Sequence, residues 1–306
     1  MNNIDIWDVI TSPKPDIITK ERTVIYLINI GIPHTCELGK CNFLEAKPSM
    51  NPHLHKDSFE ICYHISGRQV YSVNGIDYET KGGDVFVVFP NEVHDSGGFP
   101  EDKSEFYYFA FNCVSSTKNF IGLDDEASDY IVNSLLTMKN RHFRGNFMIK
   151  SILEDIFNIY FSNSPIKKVL IQSLLIKYFQ QIIACEKASH EKTHSIPKDI
   201  QTTLEYIGAN PHINISIEEL ADIACLSVSR FKQKFKYHVG VPPYEYMVRK
   251  KIELSQDMLR YTDMLVTEIA VELNFSSSQH FSKVFKKFTC MTPGEYRMKF
   301  KNSRPK

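Results

Sequence analysis

A unit of about 30 residues occurs twice in the last hundred residues, and this repeat constrains the fold more than any other feature of the sequence. The first copy begins at Glu218 and reads EELADIACLSVSRFKQKFKYHVGVPPYEY. The second begins at Thr267 and reads TEIAVELNFSSSQHFSKVFKKFTCMTPGEY. Phe231 of the first copy matches Phe281 of the second, 50 residues later. Self-similarity at a fixed offset indicates one supersecondary unit used twice.

Each copy has the sequence signals of two helices joined by a tight turn. Ser216 and Glu219 predict a capping box at the start of the first helix. Ser227 is placed to cap the second helix of the first copy. Cys225 and Asn274 stand where the turn needs a left-handed residue, which asparagine adopts more readily than cysteine. This order predicts a pair of helix-turn-helix units.

The second helix of each copy carries charge of one sign. No acidic residue lies between Ser227 and Glu245, or between Glu272 and Glu295. Basic side chains neutralise phosphates, which supplies most of the sequence-independent affinity for DNA. The basic residues are Arg230, Lys232, Lys234 and Lys236 in the first copy and Lys283, Lys286 and Lys287 in the second.

The segment between the two copies predicts a long connecting helix. Pro242 and Pro243 favour a helix start, and the helical sequence pattern that follows continues for about 20 residues, or roughly 28 Å. Such a helix could hold two reading helices about one DNA turn apart, roughly 34 Å. The chain is neutral overall, yet from Ser195 onward it has 17 Lys and Arg against 12 Asp and Glu. This basic part indicates an anionic partner.

The second copy contains an ordered motif that resembles the AraC/XylS family of transcription regulators. The motif begins with Ile269 and Ala270, continues with Phe275 and Ser276, and ends with the segments 281–287 and 292–297. The resemblance extends over about 196–300. It implies a sequence-specific DNA-binding transcription regulator, an activator that responds to a small-molecule effector. Double-stranded DNA, RNA polymerase and a second copy of the chain are the implied partners.

The resemblance also implies which side chains contact DNA. Glutamine suits adenine, and lysine suits guanine or a phosphate. Carried over residue by residue, the base-reading positions fall on Ser229, Lys232 and Gln233 in the first copy, and on Ser278, Gln279 and Lys283 in the second. The remaining predicted contacts are basic neighbours on the same helices, Arg230, Lys236, Lys286 and Lys287.

The segment from Val24 to Phe111 reads as strands. Short β-branched and aromatic runs separated by turn residues predict an all-β barrel or sandwich. Asn74 and Gly75, between two such runs, predict a two-residue hairpin. After Phe111 the apolar period changes to about 3.6, which predicts helices. The predicted strands include VIYLINI, SFEICYHI, RQVYSV, DVFVVF and EFYYFAF.

A histidine cluster lies within this strand-like segment. The stretch HLHKDSFEICYHISG, 53–67, contains His53, His55 and Glu60, and His94 follows later. An H-x-H on a strand directs both imidazoles to one face. Three imidazoles and a carboxylate are a plausible ligand set for Fe, Mn, Ni or Zn.

Members of the AraC/XylS family often carry a cupin-like barrel, and 24–111 is similar to one. His53, His55, Glu60 and Gly67 match the first cupin motif, although its leading glycine is absent. The second motif is similar to a set made of Gly83, Pro90 and His94.

Three hypotheses fit the cluster. The first is a metal-dependent cupin enzyme, an isomerase or dioxygenase, with a DNA-binding appendage. The second is a sensor with a divalent metal, and the third is a metal-free pocket that hydrogen-bonds an effector, for which the family suggests a sugar. An enzyme would need an acid or base that the sequence does not clearly supply, so a regulator without enzymatic activity is expected. The predicted metal ligands are His53, His55, Glu60 and His94, and the predicted effector pocket adds His64 and Tyr71.

The sequence therefore predicts an α+β multidomain protein with three parts. Residues 1–115 form a cupin-like effector-binding β-barrel. Residues 116–194 form a helical connector and dimerisation region that ends in the polar linker 187–195. Residues 195–306 form an all-α DNA-binding domain with two helix-turn-helix units. The segment 147–161 is apolar on more than one side, which fits an intrachain core and a subunit interface equally.

The sequence carries no signal for export or membrane insertion. Its first ten residues, MNNIDIWDVI, contain no basic region followed by an apolar one. No segment approaches the roughly 18 apolar residues that a membrane span needs. The seven cysteines include no C-x-x-C pair, so reduced thiols are expected. A cytoplasmic protein without membrane contact is predicted.

Overall fold

The structure is a computed structural model that describes residues 5–8, 10–190 and 196–301. The described chain forms two compact units. The first contains the described residues up to 42, 49–99 and those from 104 to 190, and the second contains 43–48, 100–103 and 196–301. The predicted boundary at 194 and 195, and the end of the predicted linker 187–195, lie outside the described residues, whereas the start of that linker was wrong because 187–189 belong to a helix. The three-part division stays a prediction.

The first unit is a curled β-sheet, a half-barrel, with helices on its outer face, as the cupin-like expectation requires. No helix in the part of the chain that the structure describes is long and apolar enough to cross a membrane. The strands are β1 (Asp5–Trp7), β2 (Ile17–Ile18), β3 (Arg22–Ile25), β4 (Thr35–Phe43), β5 (His53–His55), β6 (Ser58–Val73), β7 (Ile76–Lys81), β8 (Asp84–Val88), β9 (His94–Asp95), β10 (Ser104–Asn112) and β11 (His142–Arg144). The helices of this unit are α1 (Asp125–Leu136), α2 (Phe147–Tyr160) and α3 (Lys167–Ser189).

Strand β6 organises the half-barrel. Its first half pairs with β8 and β10, and its second half pairs with β7 and β9. Side chains alternate between the two faces of a strand. Phe59 and Ile61 therefore join the core beneath the helices, whereas Glu60 and His64 face the interior of the half-barrel.

The helices of the first unit share their core with the barrel strands. Phe109 on β10 lies 5.9 Å from Tyr178 on α3, measured between ring centroids, and Phe111 lies 5.0 Å from Phe179. The inner side of α2 is buried in the same core, whereas Phe147 at its start is exposed. The intrachain core thus accounts for one apolar side of 147–161, and the subunit interface stays a prediction.

Local sequence signals succeeded at one turn and failed at another segment. Asn74 and Gly75 have positive φ angles of 53° and 77° and join paired strands β6 and β7, which confirms the hairpin. The predicted strand VIYLINI is a strand only at its start, because Leu27–Ile30 forms a 3-10 helix that ends at Gly31. Gly31 has a φ of 75°, a left-handed angle that favours glycine.

Strand β4 was not among the predicted strands. Its sequence TCELGKCNF contains a glycine and a lysine, which weaken a strand pattern. The glycine has a packing reason, because a Cβ at Gly39 would lie 2.0 Å from the ring of Tyr108 on β10. Only a residue without a side chain lets these two strands approach as they do.

The second unit is all helical, as predicted. Its two helix-turn-helix units have separate cores, one around Phe231 and Phe235 and the other around Phe281 and Phe285. The helix between them contributes its first half to one core and its second half to the other. The helices are α4 (Lys198–Ala209), α5 (Ile217–Ile223), α6 (Val228–Val239), α7 (Pro243–Tyr261), α8 (Val266–Glu272), α9 (Ser278–Thr289) and α10 (Pro293–Phe300).

The caps and turns of the repeat follow the sequence closely. The Ser216 side chain accepts a hydrogen bond from the Glu219 N–H, but the Glu219 carboxylate accepts from the Tyr206 hydroxyl instead of completing a capping box. Cys225 and Asn274 have φ angles of 53° and 54°, which confirms the left-handed residue in both turns. The first helices α5 and α8 are 49 residues apart, whereas α6 and α9 are 50 apart, so the second turn is one residue longer.

Candidate DNA interface and barrel site

Helix α6 has one apolar face and one basic face. Phe231 and Phe235 are fully buried, and the residues between them point outward. Ser227 caps this helix by accepting a hydrogen bond from the Arg230 N–H. Lys234 forms an ion pair with Asp199 on α4 at 2.5 Å, so its charge is balanced within the first helix-turn-helix unit.

Helix α9 repeats this arrangement. Phe281 and Phe285 are fully buried, while the lysines of the helix are exposed. Taken together, α6 and α9 expose nine of the ten predicted DNA contacts, and Ser278 is half-buried. The exposed nine are Ser229, Arg230, Lys232, Gln233, Lys236, Gln279, Lys283, Lys286 and Lys287.

The histidine cluster assembles inside the half-barrel as its spacing predicted. His53 and His55 are buried on one face of β5, and His94 on β9 pairs with His53. Each of the three histidines offers a nitrogen within 4.8 Å of those of the other two. Glu60 on β6 places its Oε2 3.3 Å from His94 Nε2 and 3.6 Å from His55 Nε2.

Backbone carbonyls orient two of the rings. His53 Nδ1 lies 3.0 Å from Asn51 O, and His94 Nδ1 lies 3.4 Å from Glu92 O. A carbonyl only accepts, so these contacts put a proton on Nδ1, and in the neutral ring Nε2 then carries the lone pair. Carbonyl-oriented imidazoles of this kind are typical of metal-ligating histidines.

Two buried nitrogens of the cluster lack hydrogen bonds. His55 Nε2 and His94 Nε2 have no hydrogen-bond partner among the described residues, although Glu60 is close to both. Burial opposes the charge on Glu60, yet the two histidines hold the pKa of Glu60 well below its usual range. Burial also opposes protonation of His55, but Glu60 outweighs it and raises the pKa of His55. Burial lowers the pKa of His53.

Trp7 covers the cluster. Strand β1 pairs in parallel with β5, which sets Trp7 beside His55. The indole ring lies 4.9 Å from the His53 ring and 5.1 Å from the His55 ring, measured between centroids. An aromatic ring over the imidazoles lowers the local dielectric, so charges in the cluster interact more strongly than in water.

A cavity of about 320 Å³ opens beside the cluster. His55 forms part of its wall and is the one residue of the predicted effector pocket that lines it. The other walls come from the segment that follows β1 and from β4, β6 and β10. The lining residues are Trp7, Asp8, Ile10, Thr11, Ser12, Lys14, Cys36, Glu37, His55, Ser58 and Ala110.

Glu37 is a cavity residue that the sequence did not single out. Its Oε1 is buried without a hydrogen bond to any described residue, and the Arg22 guanidinium lies 3.6 Å from this atom. Burial raises the pKa of Glu37 above its usual value, against the opposing charge of Arg22. The only sequence signal was a carboxylate inside an apolar stretch, and it lay on a strand that was not predicted.

His64 and Tyr71 occupy a different part of the interior. His64 Nε2 lies 3.1 Å from the Tyr71 hydroxyl and 3.2 Å from Thr80 Oγ1. Burial lowers the pKa of His64 to about 4. These two residues bond to one another and do not line the cavity, and their assignment to the effector pocket stays a prediction.

Two basic helix-turn-helix units and a half-barrel with an internal cavity are typical of transcription regulators that have a ligand-binding domain. A family model described as a helix-turn-helix domain matches residues 220–299, and one described as an AraC-like ligand binding domain matches residues 45–177. The chain belongs to the AraC family of helix-turn-helix transcription regulators.

Two bacterial relatives are described as HTH-type transcriptional regulators. An HTH-type transcriptional regulator of Staphylococcus aureus is 25% identical over 253 residues, which cover 81% of this chain and 32% of that protein. One of Haemophilus influenzae is 23% identical over 279 residues, which cover 80% of this chain and 88% of that protein. The structure of ToxT from Vibrio cholerae is similar at 14% identity with a TM-score of 0.34, over 92% of this chain and 99% of that one. The chain thus spans about a third of the length of the Staphylococcus relative.

Proposed function

We propose that the chain binds a two-part DNA site through α6 and α9 and regulates transcription in response to a small molecule in the half-barrel. One observation carries this proposal: both helices bury a phenylalanine pair and expose a basic face. In this role residues 1–115 sense, 116–194 connect and dimerise, and 195–306 read DNA. The chain acts in the cytoplasm as an activator, with RNA polymerase as a further partner, and without enzymatic activity.

Selection from a random DNA pool tests the DNA-binding part. Purified chain is mixed with randomised duplexes, and the bound fraction is sequenced after several rounds. We expect enrichment of a sequence with two short conserved elements about one helical turn apart, because one chain carries two reading helices. Failure to enrich any sequence contradicts the proposal. A single conserved element contradicts the use of both helices.

The cavity supports an effector that donates hydrogen bonds. Glu37 Oε1 and His55 Nε2 are buried polar atoms without hydrogen-bond partners in the described chain. A carboxylate oxygen can only accept, so a ligand hydroxyl or ammonium group would satisfy Glu37. Leaving such an atom unsatisfied costs about 1–3 kcal/mol. A neutral polyol such as a sugar fits this chemistry and a cavity of this size.

Thermal unfolding in the presence of a ligand panel tests the effector class. The panel contains pentoses, hexoses, sugar alcohols, primary amines and carboxylic acids at one concentration. A polyol or amine is expected to raise the melting temperature, because a ligand that binds only the folded state stabilises it. Glu37→Gln should abolish the shift, and the exposed Glu126→Gln should retain it. Stabilisation by carboxylic acids alone, or by no compound, contradicts the assignment.

The histidine cluster supports a divalent transition metal as a second feature of the sensor. The supporting observation is the pair of unpartnered Nε2 atoms of His55 and His94 beside the Glu60 carboxylate. His53, His55, Glu60 and His94 would hold the ion, which would supply a Lewis-acidic centre next to the cavity. The chain's own residues fix the ring orientations through carbonyl contacts, and Trp7 packs against the His53 ring.

Calorimetric titration with Zn²⁺, Ni²⁺ and Mn²⁺ tests the metal site. The wild-type chain is expected to bind one ion of at least one of these metals. His94→Gln should remove this binding, whereas the exposed His212→Gln should keep it. Absence of stoichiometric binding by the wild-type chain contradicts the metal site and favours the metal-free pocket.

An exposed apolar surface at the corner of α2 and α3 supports a homodimer. Phe161, Ile166 and Val169 are each at least half exposed. Burying such side chains against a second copy would stabilise the dimer by about 25 cal/mol for each Å² of apolar surface removed from water. Sedimentation of the wild-type chain should show a dimer, and Val169→Glu should shift it toward monomer. A monomeric wild-type chain contradicts this part of the proposal.

A further inference from the structure

A buried lysine on α7 joins the two helix-turn-helix units. Lys251 is only 9% exposed. Its Nζ donates to Asn214 Oδ1 at 2.8 Å and to Leu273 O at 2.9 Å. Asn214 lies in the loop that precedes α5 of the first helix-turn-helix unit, and Leu273 is the C-cap of α8 in the second helix-turn-helix unit. One side chain therefore bonds to both units at once.

A second contact lies beside the lysine. Asn274, the left-handed residue of the second turn, donates from Nδ2 to His212 O. His212 belongs to the same entry loop as Asn214. The ring of Phe275, which follows the turn, lies 5.9 Å from Lys251 Nζ. The turn of the second helix-turn-helix unit is thus fixed to the first helix-turn-helix unit by two side chains, those of Lys251 and Asn274.

The position of the lysine makes its bonds expensive to lose. A buried ammonium needs hydrogen-bond partners, because burial without them costs several kcal/mol. Burial lowers the pKa of Lys251. The carbonyl of Leu273 lies at a helix C-terminus, where the helix dipole favours a cation. Both partners of Lys251 are acceptor oxygens, so the ammonium group can donate a hydrogen bond to each of them.

The two helix-turn-helix units have separate apolar cores, so the contacts of Lys251 and Asn274 add a direct connection between them. Phe231 and Phe235 are in one core and Phe281 and Phe285 in the other, so apolar packing alone leaves each reading helix tied to its own half of α7. A bend or twist of α7 between its two halves would move α9 relative to α6 while each core stayed packed, but it would break the contacts of Lys251 and Asn274. These polar contacts restrain the degree of freedom that the cores leave open.

We propose that Lys251 and Asn274 form a clasp that fixes the second reading helix relative to the first and so sets the spacing between the two DNA elements. In this role Lys251 and Asn274 act as positioning residues, because each links protein groups of both helix-turn-helix units. This inference rests on the proposed two-part DNA site and adds the device that sets its geometry.

Affinity measured as a function of element spacing tests the clasp. The probe is the tightest duplex recovered from the random pool, with one to three base pairs inserted or removed between its two elements, and each single element alone. Each inserted base pair rotates one element by roughly 34° to 36° around the duplex. The wild-type chain should therefore bind best at one spacing and weakly at the others.

Two variants remove the clasp in different ways. Lys251→Met keeps most of the aliphatic side chain and removes the ammonium group. Asn274→Gly removes the amide and keeps the left-handed backbone, which glycine adopts without strain. Each should lower the ratio of affinities between best and shifted spacing by about tenfold, since a net hydrogen bond contributes roughly one factor of ten. Affinity for a single element should stay unchanged.

The control variant is Lys250→Met, the neighbouring lysine, whose Nζ is paired with Glu253 at 2.6 Å. It changes the charge of α7 equally, so any uniform effect on DNA affinity appears in it without a change in the spacing ratio. An unchanged ratio in both clasp variants overturns the inference. If Lys251→Met does not fold, Asn274→Gly alone decides. A wild-type chain that binds no duplex contradicts the proposed function instead.

Discussion

Lys283 is an exposed side chain on α9, between the buried Phe281 and Phe285. Lys283→Ala should weaken binding to the selected duplex by about 1–3 kcal/mol if the lysine reads a base, because such contacts discriminate by this amount. The fold should be unchanged, since the side chain is in solvent. Fluorescence anisotropy measures the affinity and circular dichroism the fold. Lys177→Ala on α3 makes the same charge change, and an equal loss there would remove the assignment.

His64 is a fully buried imidazole whose pKa is lowered to about 4. Between about pH 6.5 and pH 4 the unfolded chain binds a proton that the folded chain does not. The free energy of unfolding should therefore fall as the pH decreases through this window, by about 1.4 kcal/mol per unit at most. His64→Gln should lose less stability over the same window than the wild-type chain in urea unfolding. Equal slopes for the two proteins would contradict a neutral buried His64.

Site residues were predictable from sequence where strand alternation alone places them. His53 and His55 share a face by parity, and His94 could be added by its resemblance to the second cupin motif. Glu37 could not be found, because its strand was not recognised and its burial depends on Arg22 and Tyr108 across the sheet. His64 bonds to Tyr71 although strict alternation would put these two residues on opposite faces, because the register of β6 with β10 shifts opposite Glu105 and Phe106.

Helix α10 begins at a complete capping box. Thr292 Oγ1 accepts from the Glu295 N–H, and Glu295 Oε2 accepts from the Thr292 N–H at 2.7 Å. Thr292→Ala should lower the free energy of unfolding by about 1 kcal/mol, the usual value of an N-cap. Urea unfolding measures it. Thr202→Ala, within α4, should change stability by less than about 0.5 kcal/mol, and a loss there as large as at Thr292 would contradict the capping role.

At the level of elements, the sequence predicted what local chemistry decides. The caps of α5, α6 and α10 follow from serine and threonine, and the hairpin between β6 and β7 follows from Asn-Gly. The segment VIYLINI has strand propensity throughout, yet a left-handed Gly31 ends a 3-10 helix in its second half. Strand β4 lies between β3, its neighbour in sequence, and β10, which is distant in sequence.

The salt dependence of DNA binding reports on the whole basic surface. Six basic residues on α6 and α9 lie on exposed faces, and Lys234 is paired with Asp199. If all six meet phosphates, the logarithm of affinity should fall with the logarithm of salt concentration with a slope of about −5. Lys236→Gln should make the slope shallower by about 1, and Lys234→Gln should leave it unchanged. Equal slopes for the two variants would contradict this division of the charges.

The fold class and the two helix-turn-helix units could be predicted at the scale of the whole molecule, because the repeat and the change of apolar period each extend over many residues. The sharing of one core by the half-barrel and α1–α3 could not, because it depends on which residues of β6 and β10 face outward. Neither could the contacts of Lys251, since a lysine on an amphipathic helix reads as an exposed residue.

Strand β10 has Ala110 in the cavity wall and its sequence neighbours Phe109 and Phe111 against α3. The wall between the cavity and the helices is therefore a single peptide layer. A molecule bound in the cavity would contact the same backbone that carries the aromatic contacts of α3.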